Sequence, residues 1–66
     1  MQKKQWDESI ALYRSSLINS KKCLGETHIF TAEIYKDLAN IYIKINMIEE
    51  STVNMIKAIE IYEKLN

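Results

Sequence analysis

No proline interrupts this 66-residue chain, and its single glycine, Gly25, stands between two long segments of patterned apolar residues. β-Sandwiches and barrels need turn residues every ~8–12 positions, so a chain this poor in breakers cannot make the reversals they require. A hydrophobic content of 47% is too high for a disordered segment. The chain is therefore all-α, built from a few long helices. At this length a single core buries only about 60% of the unfolded surface, so something outside the chain is expected to cover part of it.

Apolar spacing sets the helix boundaries. From about Lys4 to Cys23, the positions Trp6, Ile10, Tyr13, Leu17 and Leu24 step by three, four or seven residues and form one stripe of a first helix. Asp7 and Glu8 fall in its expected first turn and Lys21 and Lys22 in its last, each sign matching the helix dipole. Ser9 and Ser16 edge the stripe and leave room for close approach. Gly25 follows, where a left-handed C-cap conformation favours glycine.

Thr27 is the expected N-cap of a second helix running to about Ile45. That helix is apolar on two sides: Tyr35, Leu38, Ala39, Tyr42 and Ile45 form one stripe, and Phe30, Ile34 and Ile41 another. A helix apolar on two sides packs on two sides. Asn46, which tolerates the left-handed conformation, ends it in a turn short enough to require an antiparallel neighbour. The third helix spans about Ile48–Lys64, with Glu49 and Glu50 in its first turn and Ile48, Ser51, Met55, Ala58, Ile59 and Tyr62 as its stripe. Met47 and Met55 read as core fillers.

Charge and chemistry exclude several functions. Nine Lys and Arg balance nine Asp and Glu, and the Lys3–Lys4 and Lys21–Lys22 pairs are too short to make a positive field, so nucleic acid is not an expected partner. Cys23 has no partner for a disulfide and no His or Asp at ligand spacing; it reads as a small buried hydrophobe in a reducing compartment. Met1 to Gln5 are polar, and no stretch reaches the ~18–20 apolar residues that cross a bilayer, so the expectation is a soluble, cytoplasmic protein without a membrane partner. His28 lacks a second ligand, a nucleophile or an acidic partner, and at a helix start it reads as a turn residue whose ring nitrogen hydrogen-bonds locally. Glu49 and Glu50 are adjacent and point apart. No catalytic residue, metal site or cofactor is expected.

The first and third helices also superpose without a gap. Trp6-Asp7-Glu8-Ser9 lies over Ile48-Glu49-Glu50-Ser51, with Tyr13 over Met55, Ser16 over Ala58, Leu17 over Ile59 and Lys22 over Lys64, at a constant offset of 42 residues. A fixed period in this range means stacked supersecondary units. The order of Tyr35, Leu38, Ala39 and Tyr42 followed by Ile48, Ser51, Met55 and Ala58 resembles the tetratricopeptide repeat (TPR). The run Leu24-Gly25-x-x-His28-x-x-x-Ala32-x-x-Tyr35-x-x-Leu38-Ala39-x-x-Tyr42 looks like the 42-residue version found in kinesin light chains. Ile29 stands where that pattern has proline, Ser9, Ser16 and Ser51 where it has alanine, and Asn46 where glycine is common. Lys36 and Asp37 stand where the light chains have asparagines that help hold a peptide backbone.

The resemblance implies an antiparallel, superhelical TPR-like fragment of three helices. Residues 1–25 would be the second helix of an incomplete repeat and residues 26–66 one complete helical hairpin. It further implies a non-enzymatic scaffold or adaptor that binds a peptide or partner protein on the first helix of the complete repeat. There Glu33, Lys36, Asp37, Asn40 and Lys44 are spaced three or four apart on one face. The alternative is a packing or self-associating segment of a larger helical array with no groove ligand. In that reading Trp6, Ser9, Tyr13 and Ser16 form the self-association face, and the chain is a homo-oligomer or part of a longer TPR array.

Overall fold

The computed structural model describes residues 3–66 and, from Gln5 onward, their side chains; Met1, Gln2 and the side chains of the Lys3–Lys4 pair lie outside the described residues. Three helices account for nearly all of it: α1 (Lys3–Leu24), α2 (Ile29–Lys44) and α3 (Ile48–Leu65). Among the described residues there is no strand, as the scarcity of breakers requires.

Both reversals use the left-handed residues that the sequence supplies. Gly25 has φ 92°, and its N–H donates to the Lys21 carbonyl at 3.1 Å, a one-bond left-handed cap that ends α1. Asn46 has φ 66°; its N–H donates to Ile43 O at 3.0 Å, and the Met47 N–H donates to Tyr42 O at 2.8 Å. That pair of bonds is a Schellman motif. It satisfies two carbonyls at the end of α2 and turns the chain back within three residues.

The start of α2 differs from expectation. His28, not Thr27, is the N-cap: it is extended (φ −140°, ψ 146°), and its Nδ1 accepts from Phe30 N–H at 3.1 Å. An imidazole nitrogen here satisfies an orphan donor as a capping hydroxyl does elsewhere, so the helix begins one residue later than a threonine cap would set it. The local hydrogen bond expected of His28 is thus a cap. α1 in turn begins at Lys3, which moves Asp7 and Glu8 out of its first turn and weakens their coupling to the dipole, whereas Glu49 and Glu50 do occupy the first turn of α3.

Packing is open. α2 pairs with α1 on one side and α3 on the other. Six of its residues, Ala32, Tyr35, Leu38, Ala39, Ile41 and Tyr42, are buried apolar groups, whereas α3 contributes Ala58 and Ile61. Both pairings are antiparallel. Ala32 and Tyr35, early in α2, cluster with Ala58 and Ile61, late in α3. Ser20, late in α1, meets Thr31, while Trp6, early in α1, lies against Lys44 at the far end of α2.

Several apolar side chains expected inside are outside. Cys23 is exposed, and so is Leu24 next to it in the chain. Phe30, in the first turn of α2, is 58% exposed, and its ring lies tilted against that of His28 at 5.2 Å between centroids. Met47, Ile48 and Ile59 are exposed and Met55 is half-buried, since α3 turns a different face to α2. Ser51, Ala58 and Ile61 carry that contact. Ile61 was absent from the expected stripe, although its three-residue step from Ala58 continues the line Ser51, Ala58.

Candidate functional site

The outward face of α2 follows from the two contacts that the helix makes. Ala32 and Tyr35 cluster with Ala58 and Ile61 of α3 and with Leu17 of α1, Thr31 meets Ser20 of α1, and Leu38, Ala39, Ile41 and Tyr42 are buried too, so the positions on the opposite side of the helix must face out. They are Glu33, Lys36, Asn40 and Lys44, all exposed, with half-buried Asp37 among them. The five residues named from spacing are thus brought together on one helix face, with exposed Ile43 beside them.

Their charges are unspent. Among the described residues the one ion pair within 4 Å joins Lys21 to Glu26, at 3.9 Å, in the turn between α1 and α2. Glu33, Lys36, Asp37 and Lys44 make none. The i,i+4 pairing that would have left this face a self-satisfied solvated surface is not formed. Lys44 alone has a neighbour of another kind: its Nζ lies 5.4 Å from the centroid of the Trp6 ring, a cation–π contact tying the strip to the start of α1.

Trp6, Ser9, Tyr13 and Ser16 are half-buried, and Trp6 lies under Lys44 of α2. Next to them Gln5, Trp6, Glu8, Ser9 and Leu12 line a shallow open depression, and Leu12 is 68% exposed. A second cleft of about 120 Å³ lies between the turn before α2 and the end of α3, lined by Glu26, Thr27, Tyr35, Lys57, Glu60, Ile61 and Lys64. The amino groups of Lys21 and Lys57 lie 5.5 and 5.9 Å from the Tyr35 ring centroid. Hydrogen bonding by the Tyr35 hydroxyl raises the pKa of Lys21 above the ordinary lysine value; burial opposes the shift and the Glu26 carboxylate assists it.

Among the described residues no three of His, Cys, Asp and Glu gather as metal ligands, and no helix is long and apolar enough to cross a membrane. Stacked antiparallel helices with an outward strip of unpaired charge define a helical-repeat scaffold. A family model described as Tetratricopeptide repeat matches residues 1–64, and the chain belongs to that family. No curated protein and no solved structure was found to match. As a member of the family it is a non-enzymatic helical scaffold, a protein-interaction module.

Proposed function

We propose that the α2 strip, Glu33, Lys36, Asp37, Asn40 and Lys44, binds a peptide or a segment of a partner protein. In this reading α1 is the second helix of an incomplete repeat, and α2 with α3 is one complete repeat whose first helix offers the strip. The observation that carries it is that, among the described residues, Glu33, Lys36, Asp37 and Lys44 form no ion pair, which leaves both signs of charge for a partner. Mixed charge sets specificity more than affinity, so the partner carries an acidic group opposite Lys36 and a basic one opposite Asp37. One repeat buries little area, so micromolar or weaker binding is expected unless several such units act together. The 42-residue spacing supports a unit of the kinesin-light-chain type, and work in the cytoplasm is part of the same proposal.

The test is selection of peptides from a displayed library on the intact chain, followed by Lys36→Ala/Asp37→Ala. Both side chains lie outside the core, so helicity should be retained while the selected peptides lose binding; retained binding would sink the proposal. A second reading is favoured by the open depression beside Trp6, Ser9 and Leu12. Here Trp6, Ser9, Tyr13 and Ser16 of α1 support self-association or packing in a longer array. Sedimentation at micromolar concentration should then show a species larger than the 7.8 kDa chain.

A further inference from the structure

The cleft between the turn before α2 and the end of α3 gathers lysines whose charges are answered unequally. Lys21, on α1, is engaged: it pairs with Glu26 at 3.9 Å and lies 5.5 Å from the centroid of the Tyr35 ring. Lys57 approaches the same ring from α3, at 5.9 Å, and among the described residues it forms no ion pair. Lys64 lines the cleft two turns further along α3 and forms none either. Glu60 stands between them, three residues after Lys57 and four before Lys64, within helical reach of both, yet it pairs with neither.

The charges at the cleft therefore do not cancel. With Glu26 held by Lys21, two ammonium groups face one carboxylate around an opening of about 120 Å³. Tyr35 and Ile61, both buried, back that opening, and a backing of low polarity strengthens the field of the amines beside it. Thr27 adds a hydroxyl from the other wall, the turn that leads into α2.

We propose that this cleft binds a phosphate group, held by the amino groups of Lys57 and Lys64 and by the Thr27 hydroxyl. Donors on two walls suit a tetrahedral oxyanion. A phosphate monoester presents three strong acceptor oxygens and a charge of about −1.5 to −2 at neutral pH, whereas a carboxylate presents two oxygens and a single charge and would leave one donor idle. Glu60 opposes the anion at close range, so binding is weak and removal of that carboxylate strengthens it. The group can arrive as inorganic phosphate, as a small ester or on a phosphorylated side chain of a partner. None of these residues belongs to the α2 strip, so the proposal stands or falls independently of it.

The test is a titration of the intact, isotope-labelled protein with inorganic phosphate at constant ionic strength and neutral pH, followed by amide chemical shifts. Saturable shifts centred on Thr27, Lys57 and Lys64 are expected. Lys57→Gln and Lys64→Gln should each weaken binding about two- to five-fold, and Glu60→Gln should strengthen it by a similar factor, the range that exposed charge pairs give. Lys22→Gln, which removes an exposed charge outside the cleft, should leave it unchanged. All four positions are exposed or carry residues close to glutamine in helix propensity, so the variants keep their helicity by circular dichroism. A Gly-phosphoserine-Gly peptide that binds more tightly than inorganic phosphate assigns the group to a partner chain; one that binds no more tightly assigns it to free phosphate or a small ester. Shifts that never saturate, acetate binding as well as phosphate, equal losses from Lys22→Gln and Lys57→Gln, or a Glu60→Gln variant with unchanged affinity would each overturn the proposal.

Discussion

The junction between α1 and α2 rests on one buried side chain whose removal has a calculable cost. Thr31 is fully buried; its Oγ1 lies 3.1 Å from the Gly25 carbonyl, to which it donates, and 2.7 Å from Ser20 Oγ. Threonine has one hydroxyl proton, and the carbonyl takes it, so Ser20 must be the donor in the second bond. Thr31→Val keeps the shape and deletes both bonds. Each is worth about 1 kcal/mol net. Ser20 recovers part of its loss by turning to the carbonyl one helical turn back, and valine adds a little apolar burial. The expected cost is about 1–2 kcal/mol, or a fall in Tm of about 4–16 °C for a domain of this size. Ser20→Ala removes only the donor and should cost about 0.5–1 kcal/mol. Because the two residues share a bond, the double variant should fall short of the sum of the singles by about 0.5–1 kcal/mol. Urea unfolding of the four proteins followed by circular dichroism measures all three quantities. Strict additivity, or a Thr31→Val midpoint equal to the parent's, would refute the stabilising role of the Ser20–Thr31 bond and of the junction.

Leu38 is 1% exposed and packs α2 against its neighbours, so Leu38→Ala should cost about 2–5 kcal/mol and leave little cooperative unfolding in so small a domain; a well-folded variant would mean that the core lies elsewhere. Gly25→Ala should cost about 1–2 kcal/mol from backbone conformation alone, since φ is 92° and nothing lies within 4 Å of an added Cβ; thermal melts check it, and an unchanged Tm counts against the left-handed cap. His28→Ala should cost about 0.5–1 kcal/mol and His28→Asn much less, because asparagine also caps; equal losses in chemical denaturation would show that the ring acts through Phe30 stacking instead.

How much of this could be read in the sequence depends on whether a local rule or a tertiary choice decides each feature. The reversals at Gly25 and Asn46 were legible because left-handed backbone is expensive for most residues, and these two mark where the chain can afford it. The two-sided packing of α2 was legible because its apolar residues overfill one stripe. Cap identity was not: Thr27 and His28 both offer an acceptor, and only the geometry of the turn puts Nδ1 within reach of Phe30 N–H. Nor could spacing alone say which apolar face of α3 meets α2, since Ile48, Met55, Ile59 and the line Ser51, Ala58, Ile61 are both regular at helical period. The smaller residues, Ser51 and Ala58, won the contact because they let the two backbones approach, with Ile61 filling the end of the cluster. Ile48 and Ile59 were thereby left outside, as were Leu12 on α1 and Phe30 on α2. The polar strip was legible by subtraction, since once both partners of α2 are placed, Glu33, Lys36, Asn40 and Lys44 have nowhere to go but out. Its unpaired charges were not, because i,i+4 spacing permits pairs that side-chain entropy, at a gain of only ~0.3–0.5 kcal/mol each, leaves unmade. The same weakness leaves those charges free for a partner.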